Sequence, residues 1–281
     1  MYKQFRLVDH TNTKSINKIP MTALSSFAVD DAIATAVGKY ESDATLRLWS
    51  HPKTVVLGTP DTRLPFIKKG VQYLAQQGYH VIVRNSGGLA VALDQGVLNM
   101  SLVLPNMKQL SIDAAYDKMY TFIRQMFQAY TKEIKAYEII GSYCPGDYDL
   151  SINGQKFAGI SQRRVRDGVA VQVYIDITGN SFERARHIQK FYEIGKGSQS
   201  TSFNYPTVNP HVLSSLDKLI NEKITFEKVK QLAINTLKST AKYISKQSLT
   251  DKELTIFSRR YEQMIKRNGN IACWLNLSTH P

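Results

Sequence analysis

The sequence predicts an α+β fold: mixed, largely antiparallel sheets flanked by helices, with a small helical C-terminal segment. Three observations predict it. Two tight turns, Asn153-Gly154 and Asp167-Gly168, separate three strand-like stretches, and such dipeptides between alternating strands are hairpin signals. Apolar residues recur at helical spacing in several stretches set among the strands. After Gly195 strands give way to the loop-like "GKGSQSTSFNYPTVNP" and then to helical patterns. No internal repeat or low-complexity segment stands out.

In chain order, residues 26–37 read as a helix ended by Gly38. "TLRLWS" at 45–50 alternates like a strand, and "TVVLG" at 54–58 is a second. Residues 64–77 have helical spacing, with Gly78 as a C-terminal stop. "HVIVRNSGG" is a strand running into a glycine turn, and "LAVAL" and "LNMSLVL" are two more strands divided by "DQG". Residues 111–135 form a long helix with Ser111 as N-cap. Its expected apolar face is Ile112, Tyr116, Met119, Ile123, Met126 and Tyr130. "YDLSI", "KFAGISQRRVR" and "VAVQVYIDI" then make three sequential antiparallel strands, with Lys156 on the middle one. The rest reads as helices at 212–221, 225–244 and 250–267. Thr250 and Glu253 fit a capping box, and Leu254, Phe257, Tyr261, Met264 and Ile265 stripe the last helix. The expected organisation is an α+β core over 21–195 and a loop plus helical region over 196–281 packed on it.

Composition bounds the function. A chain of 281 residues can bury a full core without staples. Its 43% hydrophobic and 21% charged residues are ordinary for a globular protein. Two cysteines, Cys144 and Cys273, make no disulfide framework. The opening "MYKQFRLVDHTNTKSINK" lacks the apolar core of a secretory signal. No run reaches membrane-span length. A cytoplasmic, reducing setting with free thiols and no membrane partner is expected. The formal charge of +13 favours acidic partners, but no zinc-finger, ribonucleoprotein or basic-zipper pattern appears, so no nucleic acid is expected. The histidines His10, His51, His80, His187, His211 and His280 show no ligand spacing, so no metal is expected.

Two residues could carry chemistry. Cys144 lies in "YCPGDYD", a polar, turn-rich entry to a strand, where Pro145 fixes the chain and Gly146 lets the backbone pass closely. Spacing alone leaves open a buried small hydrophobe or a thiol presented to a cleft. Lys156 follows the Asn-Gly turn and reads either as an exposed turn lysine or as an ammonium beside a thiol. In the second reading it favours the thiolate and steadies an acyl oxyanion. Ala158 and Gly159 would let a ligand lie against that strand. In "RNSGGLAVALDQGVLN" two adjacent glycines permit close approach of a ligand, but the motif is neither a Walker loop nor a dinucleotide fingerprint. Cys273, in "IACWLNLS", reads as structural.

Together these segments resemble the lipoate–protein ligase, octanoyltransferase and biotin–protein ligase superfamily. "NGQKFAGISQRR" is similar to the family's Asn-Gly-x-Lys-x-Ala-Gly-x-(Ser/Ala)-Gln-x-Arg strand, whose active-site lysine maps onto Lys156. "RNSGGLAVALDQGVLNMSL" is similar to its Arg-Arg-x-Gly-Gly-x-Ala-Val-x-His-Asp ligand loop. "CPGDYDLS" resembles the octanoyltransferase branch that draws acyl groups from the glycine cleavage H protein, whose nucleophile maps onto Cys144. Two departures bear on the activity. Asn85 stands where many relatives carry a second arginine, and Leu93 where ligases often carry the histidine. Both remove groups that an ATP-dependent ligase uses.

The resemblance therefore implies a lipoate/biotin ligase-like fold and an octanoyl amidotransferase without a cofactor. Cys144 and Lys156 are the implied catalytic pair. Arg84, Ser86, Gly87, Gly88, Leu89, Ala90, Asn153, Ala158 and Gly159 are the implied substrate contacts. The implied partners are the glycine cleavage H protein as donor and the lipoyl domains of 2-oxoacid dehydrogenase E2 subunits as acceptors. The alternatives are a transferase drawing on octanoyl-acyl carrier protein, whose relatives keep more of the Gly-Gly-Arg and His pattern, and a lipoate–protein ligase.

Overall fold

The computed structural model describes residues 4–105 and 108–275; His280 lies outside them. The chain begins with β1 (Gln4–His10), the two-residue strands β2 (Ser15–Ile16) and β3 (Ile19–Pro20), and helix α1 (Ala23–Gly38). Strands β4 (Ala44–Trp49) and β5 (Thr54–Leu57), helix α2 (Ile67–Gln76), and strands β6 (His80–Val83), β7 (Val91–Leu93) and β8 (Val97–Leu104) follow. Next come α3 (Ile112–Phe127), β9 (Lys135–Ala136), β10 (Asp149–Ile152), β11 (Gln155–Val165), β12 (Gly168–Asp176) and α4 (Ser181–Lys196). The remainder holds α5 (Leu216–Leu219), α6 (Phe226–Thr240), β13 (Tyr243–Lys246), α7 (Asp251–Arg267) and α8 (Gly269–Trp274).

Eight strands form the main sheet in the order β13-β1-β4-β8-β12-β11-β10-β9. β1 pairs parallel to both β13 and β4, and the other pairs are antiparallel. A small sheet, β6-β5-β7, lies apart from it. Side-chain alternation sorts the two faces of the main sheet. Leu46 and Leu48, Leu98, Met100 and Leu102, and Val171 and Val173 point into an apolar layer shared with α3 and α6. Trp49 and Val103, on the opposite side of the pleat, join α1, α2, α4, α7 and the small sheet in a second core. This α+β arrangement, with sheets flanked by helices, is the class expected from the hairpins and helical periods.

The sheet face toward α1 is unusually polar for a buried surface. Arg47, Ser101 and Gln172 are cross-strand neighbours and converge on Asp30 of α1. Asp30 Oδ1 accepts from Arg47 Nη1 at 2.8 Å, and Oδ2 accepts from Ser101 Oγ and Gln172 Nε2 at 2.6 Å each. Arg47 also donates to Ser26 and to His10 Nδ1. Burial of His10, reinforced by the Arg47 charge, pushes its ring down to about 3, so it stays neutral and accepts that bond. Arg47 and Asp30 are both fully buried, and this web of partners is what makes such burial tolerable.

Several elements differ from the sequence expectation. The helix expected over 111–135 stops at Phe127, and Lys135–Ala136 pairs with β10 instead. Ile112 is 57% exposed, because the Ser111 cap sets it in an outward-facing first turn. Met119, Ile123 and Met126 carry the buried face, and Tyr130 lies beyond the helix. The helix expected at 212–221 shrinks to Leu216–Leu219 because the chain before it is held extended against β11: Leu213 bridges Lys156, and Ser214 N–H donates to Lys156 O at 3.0 Å. The helix expected to reach 244 ends at Thr240, and Tyr243–Lys246 supplies the strand beside β1. Cys273, read as structural, is exposed on α8 and packs no core. Strand β1 and helix α4 carried no expectation. Among the described residues no helix is long and apolar enough to cross a membrane.

The capping box at Thr250 and Glu253 is present, and its acid has a second task. Glu253 is fully buried and takes a two-pronged bond from Arg6 of β1 at 2.6 and 2.8 Å, plus one from Ser42 at 2.9 Å. Burial alone raises the carboxyl, but the Arg6 bonds and charge, with Thr250 and Ser42, outweigh it and hold Glu253 below its ordinary value. A carboxyl lowered on folding stabilises above its unfolded value and loses that contribution as pH falls through the folded one. Glu253→Gln leaves Arg6 buried without its counter-charge and is expected to cost about 3 kcal/mol at neutral pH in urea unfolding. The difference from wild type should shrink as pH falls below the ordinary carboxylate range. A constant difference down to the acid limit would remove Glu253 from the pH response.

Candidate active site

Cys144 sits between β9 and β10 on a loop that doubles back on itself. Its φ of 48° is left-handed, a conformation a side chain adopts only under constraint. The constraint is Lys156. The ammonium donates to the carbonyls of Tyr143 and Cys144 at 2.9 and 3.0 Å and to Ser142 Oγ at 3.2 Å. Its counter-charge is Asp149, with Oδ1 at 2.7 Å. Both side chains are buried. Burial raises the Asp149 carboxyl, while the Lys156 charge and the N–H groups of Ile139 and Gly146 pull it back only in part. One ammonium gripping two successive carbonyls fixes the turn of the loop and so the direction of the thiol.

The sulfur itself meets different groups. Sγ of Cys144 accepts from the Leu89 N–H at 3.1 Å and lies 3.4 Å from Arg84 Nη2. The same Arg84 nitrogen donates to Leu89 O at 2.8 Å. The ammonium expected at the thiol thus holds the cysteine's carbonyl, and a guanidinium stands at its sulfur. A backbone N–H and a guanidinium nitrogen thus converge on one sulfur.

This arrangement needs glycine at position 88. Gly88 has φ +102°, and a Cβ there would fall 2.1 Å from Arg84 Nη2 and 2.9 Å from Sγ. Gly58 at the end of β5 is equally constrained, since a Cβ would lie 1.9 Å from Gly88 O. The loop is buttressed from behind: Ala90 N–H donates to Tyr192 OH at 3.2 Å, Tyr192 OH donates to Asp61 Oδ1 at 2.9 Å, and Asp61 Oδ2 accepts from Gly58 N–H at 2.7 Å. Burial lifts the Asp61 carboxyl to about 6 despite the Gly58 and Tyr192 bonds.

Cys144 opens on a cavity of about 200 Å³. Its apolar lining includes Phe27, Trp49, Val56, Val91 and Leu93. Trp49, Asn99, Tyr174 and Gly159 are successive cross-strand neighbours in its wall. A side chain at Gly159 would stand 2.9 Å from the Tyr174 ring. The buried Asn99 amide nitrogen and Tyr174 hydroxyl have no hydrogen-bond partner among the described residues.

Residues 22–238 match the lipoyl protein ligase A/B catalytic domain. The chain belongs to that family. It is 51% identical to an octanoyl-GcvH:protein N-octanoyltransferase of Oceanobacillus iheyensis, over 95% of this chain and 96% of the relative. It is 46% identical to the protein of the same name from Geobacillus kaustophilus, over 88% and 87%. It is 44% identical to a lipoyl-GcvH:protein N-lipoyltransferase of Listeria monocytogenes, over 95% of each. Among solved structures, a lipoate-protein ligase A bound with ATP superposes with a TM-score of 0.69 at 15% identity, over 94% of this chain and 95% of that one. A bi-partite lipoate protein ligase from Thermoplasma acidophilum does so at 0.63 and 16%, over 94% and 93%. At such identities these structures speak to the fold.

In this family member the structure brings Cys144, Arg84, Gly87, Gly88 and Gly159 to one cavity. Leu89 reaches it through its N–H, and Ala90 supports it from behind. Ser86 is buried beside them, its hydroxyl without a partner among the described residues. Two expected contacts lie elsewhere: Asn153 is exposed at the hairpin turn, and Ala158 packs into the opposite, apolar layer. Asp149, Asp61, Tyr192 and Asn99 were not singled out from the sequence. Asn99, a polar residue inside the apolar run "LNMSLVL", was the one with a visible signal.

Gly88→Ala is expected to displace the thiol or Arg84, slowing iodoacetamide alkylation of Cys144 and lowering stability by about 1–2 kcal/mol from the left-handed backbone alone. Gly87→Ala, where a Cβ meets open space, should leave the melting temperature unchanged. Equal melting temperatures for the two variants would remove the packing argument.

Proposed function

We propose that this chain moves an octanoyl group from the lysine of glycine cleavage H protein to the lysine of lipoyl domains of 2-oxoacid dehydrogenase E2 subunits, through a thioester on Cys144. The observation that carries the covalent step is the thiol lining the cavity with the Leu89 N–H and Arg84 at its sulfur. The Cys144 thiolate attacks the amide carbonyl of octanoyl-lysine. A C–S bond forms, the C–N bond breaks, and the leaving amine takes up the proton that the thiol gave away. The acceptor lysine, as free amine, then attacks the thioester. A C–N bond forms, the C–S bond breaks, the proton the amine gives up returns to the departing sulfur as the thiol, and one amide has replaced another. The exchange is nearly balanced in energy, so no nucleotide is required. Splitting it through a covalent intermediate makes each barrier smaller.

Lys156 in this reading is a positioning residue. Its protons are committed to Asp149, Ser142 and the two loop carbonyls. Arg84 and the Leu89 N–H hold the charge on sulfur. Phe27, Trp49, Val56, Val91 and Leu93 take the acyl chain. Burying each methylene contributes about 0.8 kcal/mol, enough over an eight-carbon chain to hold it while the partner proteins exchange. A free thiol nucleophile suits the reducing cytoplasm.

Incubation with octanoyl-H protein should add one octanoyl mass to the intact wild-type chain and none to Cys144→Ala. Arg84→Gln should slow that loading on the order of a hundredfold, the size of effect seen when one charge-stabilising donor is lost. Octanoyl-acyl carrier protein should load the chain poorly. Product made from free octanoate only with ATP, or a fully active Cys144→Ala, would overturn the thioester route.

A further inference from the structure

A second hollow, of about 390 Å³, lies beside the acyl cavity and is lined by Asp31, Asn85, Arg163, Arg260, Met264 and Arg267. The two hollows share a loop and a strand. Arg84, Gly87, Gly88 and Ser161 line the first, while Asn85 and Arg163 line the second. The far wall comes from α7.

Three guanidinium groups and one carboxylate line this hollow. Arg163 Nε donates to Asp31 Oδ1 at 2.9 Å, and Arg260 Nε stands 3.8 Å from Asp31 Oδ2. Arg260 also reaches Gln263 Oε1 at 3.0 Å, and Arg267 reaches Thr59 Oγ1 at 3.2 Å. The buried Nε of Arg260 has no hydrogen-bond partner among the described residues. Arg267 is exposed. Arg163 commits a second donor to Asp31, Nη2 to Oδ2 at 3.3 Å. The excess positive charge and the unused donors therefore rest with Arg260 and Arg267, whose planar forks suit a carboxylate held by two parallel bonds.

The loop of Arg84, Asn85, Gly87 and Gly88 that a lysine bound for Cys144 must approach also lines the arginine hollow, through Asn85. We infer that the arginine hollow docks acidic side chains carried on the protein substrate close to the lysine that enters the acyl cavity. This rests on the acyl-transfer reading above and adds the surface feature by which a partner is chosen. It gives α7 a part in recognition, and it sets three arginines against one aspartate at a place where local positive charge would steer an acidic partner.

The test compares wild type, Arg267→Glu and Arg260→Gln in two assays. One is transfer from octanoyl-H protein to a lipoyl domain at varied acceptor concentration. The other is loading of Cys144, followed by intact mass, from the octanoyl thioester of N-acetylcysteamine, a donor with no protein body. Arg267→Glu should raise KM for the lipoyl domain about tenfold with kcat within about twofold, and added salt should narrow the gap. Arg260→Gln should shift KM in the same direction by less. Loading from the small thioester should match wild type in both. An unchanged KM in both variants overturns the docking site. Small-donor loading slowed as much as protein transfer also overturns it, since the arginines would then act through the fold. Wild type that gains no octanoyl mass from either donor overturns the acyl-transfer reading itself, and the docking site with it.

Discussion

The buried ammonium of Lys156 is the point from which the site is built. It is surrounded by oxygens of Asp149, Ser142, Tyr143 and Cys144, and these lie in one short stretch of chain leading into β10. A charge stripped of water must find all its partners at once or cost several kcal/mol. That demand folds the stretch around the nitrogen. The left-handed turn at Cys144 is a product of this wrapping, and so is the proximity of its sulfur to the glycine loop.

A second buried charge does comparable work one layer away. Asp30 draws Arg47, Ser101 and Gln172 from three adjacent strands onto α1. Gln172 also lines the cavity at Cys144. The wall of the cavity is thus fixed by directional bonds as well as by apolar packing, which tolerates small slips. Rigid walls and a rigid loop leave the thiol little freedom, which suits the role proposed for it, a nucleophile meeting two protein partners in the same orientation.

Much of this was legible in the residues. The Asn153-Gly154 turn adopts the positive φ values those residues favour. The second hairpin turns on Arg166 and Asp167, with positive φ at Arg166 and Gly168 already in β12, one residue earlier than the expected Asp167-Gly168. Together they set β10, β11 and β12 side by side with Lys156 in the middle strand. The glycine pair was legible as a place of close approach, and Gly88 serves that purpose. The partner of each cation was not. Whether an ammonium ends at a sulfur or at the carbonyl of the same residue depends on a backbone angle at Cys144 that no spacing encodes. Helix α4 escaped because its buried face includes Arg184 and Gly195 among apolar residues, which breaks the periodic stripe. Strand β1 escaped because Arg6 reads as a surface charge until Glu253, near the other end of the described chain, is seen to meet it.

That last pairing bears on how the molecule is made. Strand β1 lies between β4 and β13, in register with both. During synthesis it can settle against β4 early, but its other flank stays open until Tyr243–Lys246 has left the ribosome, and Arg6 waits as long for its acid. A bare strand edge is a template for wrong partners, and contacts this distant in sequence form slowly. Until that strand is made, β1 has one unpaired edge and Arg6 lacks its acid, so the two ends of the described chain complete the sheet together.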